Sequence, residues 1–177
     1  MKGKALHPAL EAIERAGDKK VKVAVSDVDG ILRGKYLHRD KFFGAADSGF
    51  GFCDVVFGWD SGDACYDNTT VTGWQHGFPD ALARIDLATA RRVPWDHQVP
   101  FFLGDFVTAS GEPHPCCPRQ VLKRVLRRAE ALGFKPMAGM EFEWFNFRET
   151  PDTWAAKNGV APQPITPGMF GYSLLRM

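Results

Sequence analysis

Two glutamates near the end of the sequence, Glu141 and Glu143, have a spacing that suits a metal site. Residues two positions apart on a β-strand project from the same face, which would place the two carboxylates within roughly 7 Å of each other. Carboxylate oxygens are hard ligands and favour Mg²⁺ or Mn²⁺ over metals that prefer sulfur. The pair therefore indicates a divalent metal site, and the alternative is an ordinary amphipathic strand with both glutamates in water.

The residues around the pair favour the metal interpretation. Phe145 and Phe147 continue the face that carries the two glutamates, and Phe142 and Trp144 lie on the other face. Neither face is polar along its length, so the pattern predicts a strand over residues 134–147 that is covered on both sides. A buried carboxylate without a partner costs several kcal/mol and must be paired or metal-bound.

A second acidic pattern, Asp27-Val28-Asp29-Gly30 after the apolar run Val23-Ala24-Val25, resembles the first motif of haloacid dehalogenase-like phosphatases. In that family the first aspartate is the nucleophile and the second, two residues on, is the general acid. The family requires a doubly wound parallel sheet. The residues after Gly30 are instead extended and hairpin-like, which disfavours the phosphatase.

The elements that must position these residues follow from periodicity and from turn signals. Alternating valines before Asp29-Gly30 and the extended run after it predict a β-hairpin. Apolar residues at spacings of three and four predict a long helix that ends at Gly133. The complete prediction is a helix over 8–16, a hairpin over 21–37, a loop over 45–77, strands over 83–86 and 99–107, a helix over 118–132 and an irregular segment over 150–168.

The overall composition is that of a globular protein and argues against a dominant charged partner. The chain has 177 residues, of which 45% are hydrophobic, and its 22 basic and 21 acidic residues leave a net charge of +1. This balance predicts no nucleic acid and no membrane as partners, and no stretch reaches the roughly 20 apolar residues of a membrane helix. Residues 1–16 contain no apolar core of signal-peptide length, which predicts a cytoplasmic location, and four cysteines without Cys-x-x-Cys spacing predict reduced thiols. The basic side chains of the long helix are predicted to form a solvated face: Lys123, Arg124, Arg127 and Arg128.

Several segments, taken in order, resemble the glutamine synthetase family, which includes glutamine synthetases and gamma-glutamyl-amine ligases. The resemblance begins at about Val21 and runs to the end of the sequence. It rests on Asp29-Gly30 with Arg33-Gly34-Lys35, Asp86-Leu87-Ala88-Thr89, Val93-Pro94-Trp95, Asp105, Gly111, Pro118-Arg119 with Val121-Leu122, and Glu141-Phe142-Glu143. The family places two metal-binding glutamates where Glu141 and Glu143 stand.

The resemblance implies an α+β fold that corresponds to the N-terminal portion of such a protein. Its parts would be an N-terminal helix over residues 1–19, a β-grasp domain over 20–115 and, over 116–177, the start of a glutamine synthetase-type α/β catalytic domain. The remaining metal ligands, phosphate-binding arginines and ATP-binding segments of the family would lie beyond Met177. The chain alone is therefore expected to be inactive.

The resemblance also implies a reaction, that of an ATP-dependent glutamate–ammonia or glutamate–amine ligase acting through a gamma-glutamyl phosphate. Glutamate, ATP and ammonia or an amine would be its partners, Mg²⁺ or Mn²⁺ would neutralise phosphate charge, and full-length subunits would form homo-oligomeric rings. The Gly-Ser-Ser loop of ammonia-using members has no clear equivalent at residues 52–57. This leaves Asp54 as a candidate catalytic, substrate-side residue and favours the amine-using or uncharacterised branches of the family. A non-catalytic β-grasp binding module is the alternative.

Overall fold

A computed structural model describes residues 6–165 of the chain, which forms two compact units over Met1–Pro136 and Met137–Met177. The helices of the first unit are α1 (Pro8–Ala16), α2 (Arg39–Ser48) and α3 (Pro118–Ala131). Its strands are β1 (Lys20–Ser26), β2 (Leu32–His38), β3 (Phe50–Cys53), β4 (Asp80–Val93) and β5 (Val99–Val107), and a 3₁₀ turn covers Asp54–Phe57. The second unit contains α4 (Pro151–Ala156).

The N-terminal helix and the hairpin form where the sequence predicts them. α1 begins after His7, whose side chain accepts a hydrogen bond from the Ala9 amide, and it ends at Gly17, which has a φ of 68°. Glycine tolerates this left-handed conformation because it has no Cβ. β1 and β2 pair antiparallel along their whole length. The predicted helix over 8–16 and the predicted hairpin are confirmed.

The strands form one mixed sheet in the order β2-β1-β5-β4-β3. β5 pairs parallel with β1 and antiparallel with β4, so it lies at the centre, as its almost continuously apolar sequence predicts. Its observed bounds, Val99–Val107, are the predicted ones. The β1/β2, β3/β4 and β4/β5 pairs are antiparallel. The phosphatase interpretation needs a doubly wound parallel sheet and is therefore wrong for this chain.

The hydrophobic core lies between one face of this sheet and the helices α1 and α2. Val21, Val23 and Val25 of β1 are fully buried, because alternate residues of a strand share a face. Phe102 of β5 is paired with Val23, and its ring lies 4.8 Å from that of Phe42 in α2, measured between centroids. Burial of each such side chain contributes about 1.5–3 kcal/mol to stability.

Residues 45–77 are more ordered than their glycine-rich composition predicts. The end of α2, all of β3 and the 3₁₀ turn lie in this range, so the loop prediction is wrong for its first part. The missed signal is apolar, because Phe42, Ala45 and Phe50 are buried in the core. Packing against the sheet stabilises these elements in spite of their weak local propensity.

Strand β4 extends far beyond the short strand predicted over 83–86. It covers 14 residues, Asp80–Val93, and pairs with both β3 and β5. A register shift between Asp86 and Arg91 interrupts the β4/β5 ladder. Such irregularities break the alternation of apolar and polar residues, which explains why the pattern revealed only part of the strand.

Helix α3 forms as predicted but presents a different side to the sheet. It ends at Ala131, one residue before the predicted end. The predicted solvated face is wrong at Lys123, whose ammonium pairs with two carboxylates of the sheet. The apolar side chains Leu122, Val125 and Leu126 are 41–57% exposed. Among the described residues, the contact between α3 and the sheet therefore includes the ion pairs of Arg119 and Lys123.

The second unit has no regular structure over residues 137–146, and the strand predicted over 134–147 is wrong. A strand needs a neighbour to satisfy its backbone groups. In the described part of this unit the β-bridge joins Phe147 to Pro164. α4 follows, with a capping box between Thr150 and Thr153, inside the segment predicted to be irregular.

The four cysteines are free thiols. Cys117 is buried, and its sulfur accepts a hydrogen bond from the Phe106 amide, so it acts as a core residue. Within residues 6–165, the helices are too short or too polar to cross a membrane.

Candidate functional site

The structure places Glu141 and Glu143 in an exposed, irregular segment. Both side chains are open to solvent, as are those of Phe142 and Trp144. The prediction that this segment is covered on both faces is therefore wrong. An exposed carboxylate is hydrated and needs no partner, so burial no longer argues for a metal. The assignment of Glu141 and Glu143 as metal ligands stays a prediction, which rests on the chemistry of their oxygens and on the family resemblance.

The two carboxylates match the ligand type of a hard cation but supply only part of its coordination shell. Mg²⁺ is coordinated by six oxygen ligands in nearly octahedral geometry. Among residues 6–165, no group of three or more His, Cys, Asp or Glu side chains is arranged to hold a metal. A cation bound by Glu141 and Glu143 would need further ligands from water, phosphate or other residues.

Glu149 is the carboxylate that organises the described part of the second unit. One oxygen accepts hydrogen bonds from the Lys157 ammonium and the Gln163 amide, both at 2.6 Å, and the other accepts from the Thr153 hydroxyl at 2.7 Å. These hydrogen bonds lower the pKa of Glu149 from 4.5 to about 2, and the one from Lys157 has the largest effect, ahead of those from Gln163 and Thr153. Because the folded pKa is depressed, the resulting stabilisation is complete above pH 4.5 and is lost as the pH falls toward 2. Glu149 is a structural carboxylate.

A second charged cluster joins α3 to the outer face of the sheet, and we call it the α3 latch: Asp86, Asp105, Arg119 and Lys123. Arg119 donates from Nε to Asp105 Oδ1 at 2.6 Å and from Nη2 to Asp86 Oδ2 at 2.8 Å. Lys123 Nζ donates to Asp86 Oδ2 at 2.9 Å and also pairs with Asp105. Residues four apart on a helix share a face, so Arg119 and Lys123 reach the two strands together.

The charges of the latch are matched, which suits it to fixing α3 rather than to transferring protons. Burial alone would raise the pKa of Asp86, but the hydrogen bond from Lys123 and the charges of Lys123 and Arg119 outweigh it and lower that pKa. For Lys123, burial acts to lower the pKa, and the hydrogen bonds to Asp105 and Asp86 raise it above its ordinary value of 10.5. Asp86 and Lys123 are therefore both charged at neutral pH. The sequence signal for this cluster was the spacing of Arg119 and Lys123.

Asp27, the nucleophile of the phosphatase interpretation, is fully buried in the turn between β1 and β2. Its Oδ1 accepts hydrogen bonds from the amides of Asp29 at 3.0 Å and Ile31 at 2.8 Å, and its Oδ2 accepts one from Arg33 Nε at 2.7 Å. Both oxygens are engaged within the protein, so an attack on a phosphate would first have to break the turn. The turn and the sheet topology both contradict the phosphatase prediction.

Asp54, the candidate substrate-side residue, begins the 3₁₀ turn and is buried. Its Oδ1 accepts a hydrogen bond from the Thr72 hydroxyl at 2.7 Å, which ties the turn to the following loop. Burial lowers the pKa of His114, and the negative charge of Asp54 offsets part of that effect. These contacts are typical of a structural carboxylate, and the catalytic role of Asp54 stays a prediction.

Comparison with known proteins decides the family of the chain. Residues 115–170 match the family model of the glutamine synthetase catalytic domain. Over 156 residues the chain is 52% identical to type-1 glutamine synthetase 2 of Dictyostelium discoideum, across 88% of this chain and 30% of that protein. The chain belongs to the glutamine synthetase family. The resemblance that the sequence predicts is thereby confirmed.

Two other relatives have the names of enzymes that join glutamate to an amine. The chain is 32% identical over 164 residues to glutamate–isopropylamine ligase of a Pseudomonas species, across 92% of this chain and 36% of that protein. It is 31% identical over 157 residues to gamma-glutamylethanolamide synthetase of Streptomyces coelicolor, across 86% and 34%. The chain thus spans about a third of the length of these relatives.

Solved structures show that the fold is of the glutamine synthetase type. A GmaS protein in complex with ADP has a TM-score of 0.54 at 24% identity, over 72% of this chain and 26% of that chain. A crystal structure of a glutamine synthase homologue has a TM-score of 0.53 at 21% identity, over 73% and 29%. At these identities the likeness concerns the fold alone.

The start of the catalytic-domain match at residue 115 lies just before α3. The α3 latch therefore joins two strands that precede the matched region to a helix inside it. The matched region also includes Glu141 and Glu143. The domain boundary between residues 115 and 116 stays a prediction.

Proposed function

We propose that this chain forms part of an ATP-dependent ligase that joins glutamate to ammonia or to an amine through a gamma-glutamyl phosphate. The observation that carries the proposal is the 52% identity to the Dictyostelium type-1 glutamine synthetase 2. The names of the two amine ligases at 31–32% identity support an amine as well as ammonia as the acceptor. Because the chain spans about a third of these relatives, we assign the activity to the full-length protein and expect the chain alone to be inactive.

The proposal includes an architecture, a β-grasp domain over residues 20–115 followed by the start of the catalytic domain, in a cytoplasmic protein that assembles into a homo-oligomeric ring. The curl of the sheet supports the β-grasp assignment. Lys35 of edge strand β2 donates a hydrogen bond to the Gly51 carbonyl of the opposite edge strand β3 at 2.9 Å. The two edges of the sheet therefore lie within the reach of one side chain.

In this proposal Glu141 and Glu143 hold Mg²⁺ or Mn²⁺. Their carboxylates are exposed, so neither has to lose a buried partner before it binds a cation. Glu149, which is engaged by three hydrogen-bond donors, is less suited to that role. The cation supplies neutralisation of charge on the phosphate oxygens during phosphoryl transfer.

A non-catalytic binding module is the second candidate function. It is favoured by the carboxylates of the first unit, because those of Asp27, Asp54 and Asp105 are buried and accept hydrogen bonds within the fold. Such a module would keep the sheet and α3 but would bind neither ATP nor divalent cations. The two candidates differ in whether the full-length protein binds Mn²⁺ and releases phosphate from ATP.

The test uses the full-length protein that contains this chain. Its ATP-dependent phosphate release is measured with glutamate and with either ammonia or one of a panel of amines. Hydroxylamine would trap the acyl phosphate. We expect Glu141→Ala and Glu143→Ala each to lose Mn²⁺-dependent acyl-phosphate formation and to weaken Mn²⁺ binding, because each removes a carboxylate ligand. Both variants should remain folded, since the two side chains are exposed.

The matched control is Glu130→Ala, which removes an exposed glutamate of α3 and should leave activity unchanged. Unchanged activity and Mn²⁺ affinity in both Glu141→Ala and Glu143→Ala would refute the metal assignment. A full-length protein that is folded but binds neither ATP nor Mn²⁺ would support the binding module.

A further inference from the structure

The outer face of the sheet, opposite to the face that packs on α1 and α2, carries a hollow. Ala24 of β1 and Gly34 of β2 are paired in the strand register and form its floor. A Cβ at position 34 would clash with the Val23 carbonyl oxygen and crowd the Ala24 methyl group, so glycine is required there. This pair projects almost no side chain from the sheet, which leaves space above it.

Aromatic and aliphatic side chains form the walls of this hollow. Leu32 and Tyr36 lie two residues before and after Gly34 and therefore project from the same face. Phe101 of β5 and Trp95, just past the end of β4, complete the walls around about 360 Å³. Ligand sites in proteins measure roughly 300–1,000 Å³, so the hollow has room for one ring system. Trp95 is 88% exposed as a residue, so its ring is available for stacking.

A polar network holds one wall in place. Asp96 pairs with the Lys22 ammonium and accepts a hydrogen bond from the Tyr36 hydroxyl. The hydrogen bond from Lys22 lowers the pKa of Asp96, and the hydrogen bond to Asp96 raises the pKa of Lys22. The two groups are thus an ion pair that also fixes the Tyr36 ring. The hollow is formed before any ligand enters, which reduces the entropic cost of binding.

The rim of the hollow carries an excess of positive charge. Lys20 Nζ lies 4.4 Å from the centroid of the Tyr36 ring, and the guanidinium carbon of Arg91 lies 4.8 Å from the centroid of the Phe101 ring. In the described part of the chain neither cation forms an ion pair with a carboxylate. Lys22 and Lys35 line the hollow itself, and Lys20 and Arg91 lie against two of its wall residues, so four cations and one carboxylate, Asp96, lie at or next to it.

We propose that this hollow is a binding site for a small planar aromatic anion. The ring would lie over Ala24 and Gly34 and stack on Trp95, and it would meet the edge of the Tyr36 ring, which Lys20 and Lys22 cover. Its anionic group would face Lys20 and Arg91 at the rim. An aliphatic anion would leave the Trp95 ring unstacked, and a neutral ring would gain no attraction from the charges of Lys20 and Arg91. Gly34 and Trp95 belong to the segments that resemble the family, but the ligase proposal gives no residue of the hollow a catalytic or metal-binding role.

Indole-3-carboxylate is a suitable probe because it combines a single planar ring system with one negative charge, and indole-3-carboxamide is its neutral match. Both would be titrated into the 177-residue chain by calorimetry and by amide NMR. We expect one equivalent of the carboxylate to bind, with chemical-shift changes centred on Ala24 and Gly34. The carboxamide should bind at least about threefold more weakly at low ionic strength, and added salt should reduce that difference.

Two variants test the walls and the rim separately. Trp95→Ala removes an exposed wall and should weaken binding of the carboxylate about tenfold. Trp74→Ala is the matched control, because it removes a ring that is 84% exposed and lies outside the hollow. Arg91→Ala removes an exposed rim cation and should bring the affinity for the carboxylate closer to that for the carboxamide. Thermal melting would establish that each variant is folded.

The proposal is overturned by lack of binding, by equal affinity for the two probes, or by shift changes away from the hollow. It is also overturned if Trp95→Ala and Trp74→Ala bind the carboxylate equally well. Sedimentation velocity of the unchanged chain and of Trp95→Ala compares their oligomeric states and tests whether the hollow is instead a self-association surface. If the substitution dissociates an oligomer and leaves probe binding unchanged, the hollow serves self-association and not a small ligand.

Discussion

Among single residues, Asp27 illustrates how a structural carboxylate can resemble a catalytic one. It follows a buried strand and precedes a second aspartate by two residues, which is the spacing of a nucleophile and its general acid. In the fold, the same position at the end of β1 lets its oxygens accept hydrogen bonds from two turn amides and from Arg33. Both roles place an acidic side chain after a strand, so the motif cannot separate them.

We expect Asp27→Ala to lower the free energy of unfolding by about 3 kcal/mol, because it leaves two amides and the Arg33 guanidinium without their acceptor in a buried site. Asp29→Ala is the control, since Asp29 is exposed in the same turn, and its effect should stay within about 0.5 kcal/mol. Urea unfolding measures both. A loss below about 1 kcal/mol in Asp27→Ala would contradict the structural role.

The candidate site shows which information a sequence holds about a single residue and which it lacks. The acidity and spacing of Glu141 and Glu143 were evident in the sequence. Their exposure was not, because it depends on whether other segments pack on residues 137–146. For the same reason, Lys123 was wrongly predicted to be solvated. Its partners Asp105 and Asp86 are 18 and 37 residues away in the chain. Local patterns describe a side chain and leave its distant neighbours undetermined.

Among secondary-structure elements, those with strong local signals were predicted to within one residue. α1 and α3 combine helical periodicity with a proline at the start and a glycine after the end, and β5 is almost continuously apolar. α2 and β3 were missed because their glycines and aspartates are typical of a loop. Their order depends on the burial of Phe42 and Phe50, which only the assembled sheet provides.

The α3 latch gives a prediction for one element. We expect Asp105→Ala to cost about 2–4 kcal/mol and to speed amide exchange in α3, because it leaves Arg119 and Lys123 without a nearly buried acceptor. Lys123→Met should cost about 1 kcal/mol or less, since its side chain is 37% exposed and solvent screens the pair. Arg124→Met, on an exposed part of the same helix, is the matched control and should change nothing.

The pH dependence of that exchange provides a second readout. The folded pKa of Asp86 is lowered, so its contribution is complete above 3.8 and is lost as the pH falls through the folded value. The folded pKa of Lys123 is raised, so its contribution is complete below 10.5 and is lost as the pH rises through the folded value. Protection of the α3 amides from exchange should therefore decrease when the pH falls below the folded pKa of Asp86 and when it rises above the folded pKa of Lys123. Equal exchange rates in Asp105→Ala and Arg124→Met at every pH would show that the latch does not hold the helix.

The whole first unit depends on pairings between distant segments. β1 pairs in parallel with β5, which joins Lys22 to Phe101. The core then extends from Leu10 in α1 to Cys117 at the start of α3. No local pattern specifies such pairings, so the sequence predicted the hairpin and the central strand but not the order of the sheet. The same contacts place Cys117 in the core of the first unit, beyond the boundary predicted at residue 115.

Two truncated chains test where this unit ends. A chain ending at Pro136 keeps the described core from Leu10 to Cys117 and the whole α3 latch, so its melting temperature should stay within about 3 °C of the 177-residue chain. A chain ending at Pro115 loses Cys117 and both latch cations, which leaves Asp86 and Asp105 unpaired beside an opened core. Its melting temperature should fall by roughly 10 °C or more. Calorimetry measures both, and equal melting temperatures would mean that the unit ends at residue 115 and that α3 adds nothing to its stability.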